Sequence, residues 1–235
     1  VGVVGGCGGA GASTLASALA VSAARQRRPA LLVDADPLGG GIDMVVGSED
    51  ARGLRWPDLA ATHGRVSGDS LRQVLPRMSD LGVLSWDRGD LVSIPRESMR
   101  SVLSAGRRSH DAIIVDVPRR LDAAAEEALV CATCVLLVVP AEIRAIAAAQ
   151  RVLAQIRPLC ADVRLVVREP GPNRLGSEVV ADTMALPLLA SIRTDRRVSE
   201  LIDDGLGPLA RRRTPLAGTC SVILDGLGLL RAAVA

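Results

Sequence analysis

The densest chemistry in this chain lies in ten residues that follow a short apolar run. Gly5-Gly6-Cys7-Gly8-Gly9-Ala10-Gly11-Ala12-Ser13-Thr14 leads from Val1–Val4 into a segment where Leu15, Leu19 and Ala23 recur at helical spacing. Gly6 and Gly11 bracket four residues, as in the phosphate-binding pattern G-x-x-x-x-G-K-[ST]. Glycines let consecutive backbone N–H groups turn inwards to an anion, and a following helix N-terminus adds partial positive charge. The candidate cradle is Gly6, Gly8, Gly9, Ala10, Gly11, Ala12, Ser13 and Thr14, with the Ser13 hydroxyl placed for a magnesium ion. The lysine of the pattern is absent, because its position is Ala12. No lysine can come in from elsewhere, since all 28 basic residues are arginine.

Two carboxylate motifs follow. One apolar run ends in Asp34-Ala35-Asp36-Pro37, and a later one, after His110-Asp111, ends in Asp116-Val117-Pro118. A magnesium–nucleotide site needs one carboxylate for the metal's water shell and another to orient an attacking water. The sequence nominates Ser13, Asp36 and Asp116 for the metal and Asp36 for the water.

The elements that must position these groups are legible. Val1–Val4, Ala30–Val33, Leu81–Leu84, Ala112–Val115, Val135–Val139 and Val163–Val167 are short apolar runs without strict alternation, as strands buried on both faces require. Leu188–Ile192 is a further candidate. Between them lie helical stripes: Met99, Val102 and Leu103 after Pro95, and Ile143, Ile146, Ala149, Leu153 and Ile156. Thr214-Pro215 has the form of a helix start. The alternation predicts a doubly wound, mostly parallel α/β sheet flanked by helices, with ligands at the carboxyl ends of the strands. Residues 51–80 are irregular and are expected to cover one edge, with Trp56 and Trp86 as packing residues. The whole chain, 1–235, reads as one domain.

Together these residues resemble the MinD/ParA group of P-loop ATPases, whose deviant Walker A loop is K-G-G-x-G-K-[ST]. Cys7-Gly8-Gly9-Ala10-Gly11-Ala12-Ser13 overlays that loop position for position with both lysines replaced. Leu31-Leu32-Val33-Asp34-Ala35-Asp36 is similar to the group's second motif, and Asp111-Ala112-Ile113-Ile114-Val115-Asp116 to its Walker B strand. Within the group, Asp34–Asp43 and Gly171-Pro172-Asn173-Arg174 look most like actinobacterial CpaE/TadZ-like, septum-site-determining proteins. The resemblance implies a P-loop NTPase fold binding ATP or ADP with Mg2+. It also implies partners in the division or pilus/secretion machinery, a homodimer, and a receiver-like domain ahead of Val1, which starts abruptly inside an apolar run.

Relatives use one lysine on their own phosphates and a second, the signature lysine, on a partner's nucleotide; here these are Ala12 and Cys7. Losing two hydrogen bonds to a charged group weakens triphosphate binding by about 3–6 kcal/mol, two to four decades in affinity. The expectation is therefore a degenerate site with weak or absent nucleotide binding and slow or no hydrolysis, acting through protein contacts. Arg119 and Arg120 are the nearest substitutes by sequence, leaving open a slow ATPase that uses arginine. Arg168 and Asn173 are placed by location at the base. Cys7, if exposed beside loop amides and a helix N-terminus, could have a lowered pKa; the simpler reading is a tolerated loss of lysine.

Composition trims the alternatives. A net charge of +2, two tryptophans and no Phe or Tyr give DNA neither a strong field nor a stacking platform, so a ParA-like DNA-associating role stands third. Five cysteines, an odd number, with no export signal point to reduced thiols in a cytoplasm. Cys131-x-x-Cys134 feeds a strand and reads as buried packing. Leu216–Ala235 lacks the interleaved cations and aromatic anchors of a membrane-binding helix, so stable membrane insertion is not expected.

Overall fold

A computed structural model describes residues 1–60, 67–89, 92–169, 175–211 and 213–229. Its elements, in chain order, are β1 (Gly2–Gly5), α1 (Ala12–Arg25), β2 (Ala30–Asp34), α2 (Ile42–Val46), α3 (Trp56–Ala60), α4 (Gly68–Val74), β3 (Arg77–Met78), β4 (Leu81–Leu84) and α5 (Arg96–Arg107). They continue with β5 (Ala112–Val117), α6 (Ala123–Cys131), β6 (Val135–Pro140), α7 (Ile143–Ile156), β7 (Val163–Glu169), α8 (Ser177–Met184), β8 (Leu188–Arg193), α9 (Arg196–Asp203) and α10 (Pro215–Gly226).

The strands form one eight-stranded sheet in the order β3-β4-β2-β5-β1-β6-β7-β8. Every pairing is parallel except β3 with β4. The expected doubly wound sheet is thus present. Strand side chains alternate between two cores: Leu31 and Val33 pack with the α5–α8 side, Ala30 and Leu32 with α1 and α10. Burial on both faces explains the runs' lack of polar alternation. Thr214 caps α10 through a bond from the Ala217 N–H at 3.1 Å, with Pro215 in the first turn.

Residues 51–80 are more ordered than the sequence suggests. They contain α3, α4 and the two-residue β3, which closes the β4 edge in the opposite direction. Trp56 and Trp86 are both buried, their rings 6.3 Å apart, as packing residues should be. Gly171–Arg174 lies outside the described residues.

The order places β1 between β5 and β6, with β2 beyond β5. Register sets Asp34 opposite Asp116 across β2 and β5. Thus the β1 loop and both aspartate motifs emerge on one ridge, at the carboxyl ends of the strands.

Candidate functional site: a glycine loop between arginines and carboxylates

The loop between β1 and α1 closes on backbone geometry that only glycine takes readily. Gly9 (φ +68°) and Gly11 (φ +95°) are left-handed, and Gly11 caps α1. The first-turn amides of α1 have no intrahelical acceptor and open to the same end. A cavity of about 480 Å³ follows the loop, lined by Cys7 through Thr14, Asp36, Asp116, Arg119 and Arg168 among others. Gly6 departs from expectation. It does not line this cavity; its N–H donates to the Val138 carbonyl at 2.8 Å and a Cβ there would stand 2.6 Å from that of Ala149. Gly6 is small so that α7 can approach, not so that a ligand can.

The nominated metal set converges. The Ser13 hydroxyl hydrogen-bonds the Asp116 carboxylate. Burial pushes Asp116 up to about 6, with the Ser13 bond pulling it down and the charge of Asp36 pushing it up. Asp36 is half-buried, and its Oδ1 accepts from the Leu38 N–H at 3.0 Å. One hydroxyl and two neighbouring carboxylates, Asp116 with its proton affinity raised by burial, fit a hard divalent cation that keeps most of its waters. Among the described residues no group of three or more His, Cys, Asp or Glu side chains could hold a metal by itself.

Ser13, Asp36 and Asp116 also border a second cavity of about 560 Å³. Asp34, Glu49, Asp203 and Asp204 line it, and among the described residues no arginine does.

Behind this ridge is a network the sequence did not disclose. Asp34 is buried, and both its oxygens hold the segment that follows. Oδ1 accepts from the Asp36 N–H at 3.0 Å, and Oδ2 from the Ile42 N–H at 2.9 Å and the Ser85 hydroxyl at 3.3 Å. Burial, then the charge of Asp116, pushes Asp34 up to about 7 against those backbone bonds. Ser85 also donates to Asp43 Oδ1 at 3.1 Å, and Asp43 takes a two-pronged contact from Arg88 at 2.8 and 3.3 Å. Trp56 Nε1–H bonds the Asp34 carbonyl at 2.6 Å. The sequence signal was Asp34 within its motif; the side-chain partners of the network lie 22 to 51 residues away.

Two arginines reach the loop. Arg168, near the end of β7, donates from Nη1 to the Gly9 carbonyl at 2.8 Å. Register with β6 sets it opposite Pro140, at the carboxyl edge where the loop also lies. Asn173 lies outside the described residues. Arg119 Nη2 lies 3.6 Å from where a Gly8 Cβ would be, whereas Arg120 is exposed and does not line the cavity. Cys7 is half-buried, and burial raises its thiol although Arg168 and Arg119 pull it down. The condition for a lowered Cys7 pKa, exposure at the loop, is not met, and desolvation outweighs both guanidiniums. Cys134, pushed up to about 12 mainly by burial, is a packing thiol at the entry to β6.

A parallel sheet with a glycine loop after β1, opening on aspartates at the ends of β2 and β5, is the architecture of P-loop nucleotide-binding proteins. The fold is, more narrowly, that of the MinD/ParA-type ATPases. The ParA family ATPase from Chlorobium tepidum superposes with a TM-score of 0.84 at 18% identity, over 95% of each chain. The MinC:MinD cell division complex of Aquifex aeolicus gives 0.81 at 20%, over 100% of this chain and 98% of that one. MinD of Pyrococcus horikoshii, complexed with Mg-ADP, gives 0.73 at 18% over the whole of both. At these identities the likeness is one of fold.

In sequence, the chain is 44% identical over 227 residues to uncharacterized proteins from two strains of Mycobacterium tuberculosis. The match covers 97% of this chain but 63% of those relatives. No protein-family model matches the chain. Among the described residues no helix is long and apolar enough to cross a membrane.

Proposed function

We propose that this chain is a positioning factor of the MinD/ParA type, of the CpaE/TadZ-like kind, serving a division septum or a pilus/secretion apparatus in the cytoplasm. It acts through contacts with partner proteins and with a second copy of itself rather than through ATP turnover. One observation carries the reading. The glycine cradle, Ser13, Asp36 and Asp116 stand assembled on one ridge, while the two positions that hold lysine in the resembled loop are Ala12 and Cys7. A site without those cations has backbone dipoles for a phosphate but little to neutralise the charge that develops in phosphoryl transfer. Such a protein would sense or retain nucleotide weakly and hand the work to its surfaces. The relatives it matches are longer than this chain; by the resemblance, a receiver-like domain would lie ahead of this one.

Magnesium, when bound, would supply charge neutralisation at the terminal phosphates, held by Ser13, Asp116 and Asp36. Of the chain's own groups, Asp116 fixes the Ser13 hydroxyl, and Asp34 anchors the segment that carries Asp36. The test is turnover of Mg-ATP by the wild type and by the Ala12→Lys, Cys7→Lys double variant. Wild-type turnover at the buffer blank, with hydrolysis appearing in the double variant, is the expected result. Wild-type turnover that disappears in Asp36→Ala would overturn the reading.

A second reading, a slow ATPase using arginine, is favoured by one specific observation: Arg119 and Arg168 both stand at the loop. The same assay decides between them.

A further inference from the structure

Several arginines of this molecule are matched to acids. Arg88 and Arg55 face Asp43, Arg96 and Arg100 face Glu127, and Arg164 faces Asp162. The two at the glycine loop are not. Among the described residues Arg119 has neither a hydrogen bond nor an ion pair, and Arg168 has only its bond to the Gly9 carbonyl. Both act on the Cys7 thiol, Arg168 more strongly. A guanidinium carries five donors in a rigid plane and stays charged. Arg168 spends one of them on the loop and is half-buried beside the cradle. It also borders a neighbouring cavity of about 120 Å³, whose apolar lining includes Leu15, Val138, Ile192 and Val198. It stands between an anion cradle and a small apolar recess.

From this we infer that Arg168 is the principal phosphate grip of this lysine-free loop, with Arg119 as the second, and that the ligand class is a nucleoside polyphosphate. Resting on the reading of the loop as a phosphate cradle, this assigns the lost lysines' binding role to a cation from another strand. Arg168 comes from β7, whose parallel register delivers it to the β1 loop. Bonded to the Gly9 carbonyl, the guanidinium is held at the cradle in advance, and its remaining N–H groups suit bidentate contact with phosphate oxygens. An arginine anchored this way can bind polyphosphate without moving with the reaction, which fits retention without turnover.

The test is calorimetric titration of the full chain with Mg-ADP, Mg-ATP and inorganic tripolyphosphate. Arg168→Ala should weaken all three about ten- to hundredfold, the value of a charge-assisted hydrogen bond or two. Arg168→Lys should lose less, Arg119→Ala should have the smaller effect, and adding Ala12→Lys to Arg168→Ala should restore affinity. That rescue is a result no merely structural role of Arg168 would give. Unchanged affinity in Arg168→Ala overturns the inference, as does a loss for nucleotides but not tripolyphosphate, which would return Arg168 to the base. Absence of saturable wild-type binding at millimolar ligand also overturns it. None of these outcomes bears on turnover, so the positioning role fails separately, in the hydrolysis assay.

Discussion

Removing Arg88 should expose how much the Asp34–Asp43 network contributes to the site. Asp43 is wholly buried, and Arg88 contacts both of its oxygens at 2.8 and 3.3 Å while remaining half in solvent. In Arg88→Ala the carboxylate keeps the Met44 N–H at 3.1 Å, the Ser85 hydroxyl at 3.1 Å and Arg55 at 3.6 Å. Breaking a buried pair from one side costs about 3–5 kcal/mol where nothing else compensates. With those three contacts surviving, a loss of about 2–4 kcal/mol is expected. Asp43→Asn should cost less, about 1–2 kcal/mol, because Arg88 can turn to water. The double variant should recover most of the Arg88→Ala loss, giving a coupling energy above about 1 kcal/mol. Urea unfolding at neutral pH reads all four species, with the buried Trp56 and Trp86 as fluorescent reporters. An Arg88→Ala variant within about 0.5 kcal/mol of wild type, or strict additivity in the double variant, would refute the reasoning.

Asp34 sets a pH dependence of stability. Its folded pKa of about 7 lies above its ordinary value of 3.8, so between these values the folded state binds more protons than the unfolded one. Stability conferred below about pH 4 is lost as pH rises towards 7, by on the order of 4 kcal/mol, with Asp116 contributing in the same direction up to about 6. Urea midpoints should fall across pH 4–8, and Asp34→Asn should flatten that fall; an equal slope in both proteins would dismiss the assignment. Gly6→Ala should lower stability by about 1–3 kcal/mol, since its methyl would meet the Ala149 Cβ at 2.6 Å, and a melting temperature within a degree of wild type would show that α7 yields freely. Cys7 should alkylate more slowly at pH 7.5 than a free cysteine, because burial raises its thiol. Cys134 and Cys220, both pushed up to about 12, should resist until unfolding, and rapid labelling of Cys7 in the folded protein would reverse the stated balance.

The sheet was readable because its chemistry is local. An apolar run buried on both faces needs no partner information to declare itself, and the glycines of the loop announce a backbone conformation. Asp36 and Asp116 could be placed because parallel strands deliver their carboxyl ends to one edge. What escaped depends on distance in sequence. β3 is only two residues long and pairs the other way, so no periodicity marks it. Ser85 joins Asp34 and Asp43 across separations of 51 and 42 residues, which no motif spacing encodes. Arg168 reaches a loop 159 residues earlier, and only the β6–β7 register shows which way it points. The thiol of Cys7 turned on its exposure, which the sequence does not encode, and on Arg168 and Arg119, which come from distant strand ends.

The two sides of the site differ in charge in a way that constrains its use. Ser13, Asp36 and Asp116 are shared by both cavities. On one side Arg119 and Arg168 flank the loop; on the other Asp34, Glu49, Asp203 and Asp204 line a recess with no arginine among the described residues. A polyphosphate with its metal would put negative charge against the guanidiniums and positive charge against the carboxylates, relieving the crowding that raises Asp34 and Asp116. A loop without lysine therefore still sits in a polar site. The cations that stand here, Arg119 and Arg168, lie at flanking strand ends and are not built into the glycine turn itself. Under the proposed reading, this arrangement would favour holding an anion over transferring its phosphoryl group.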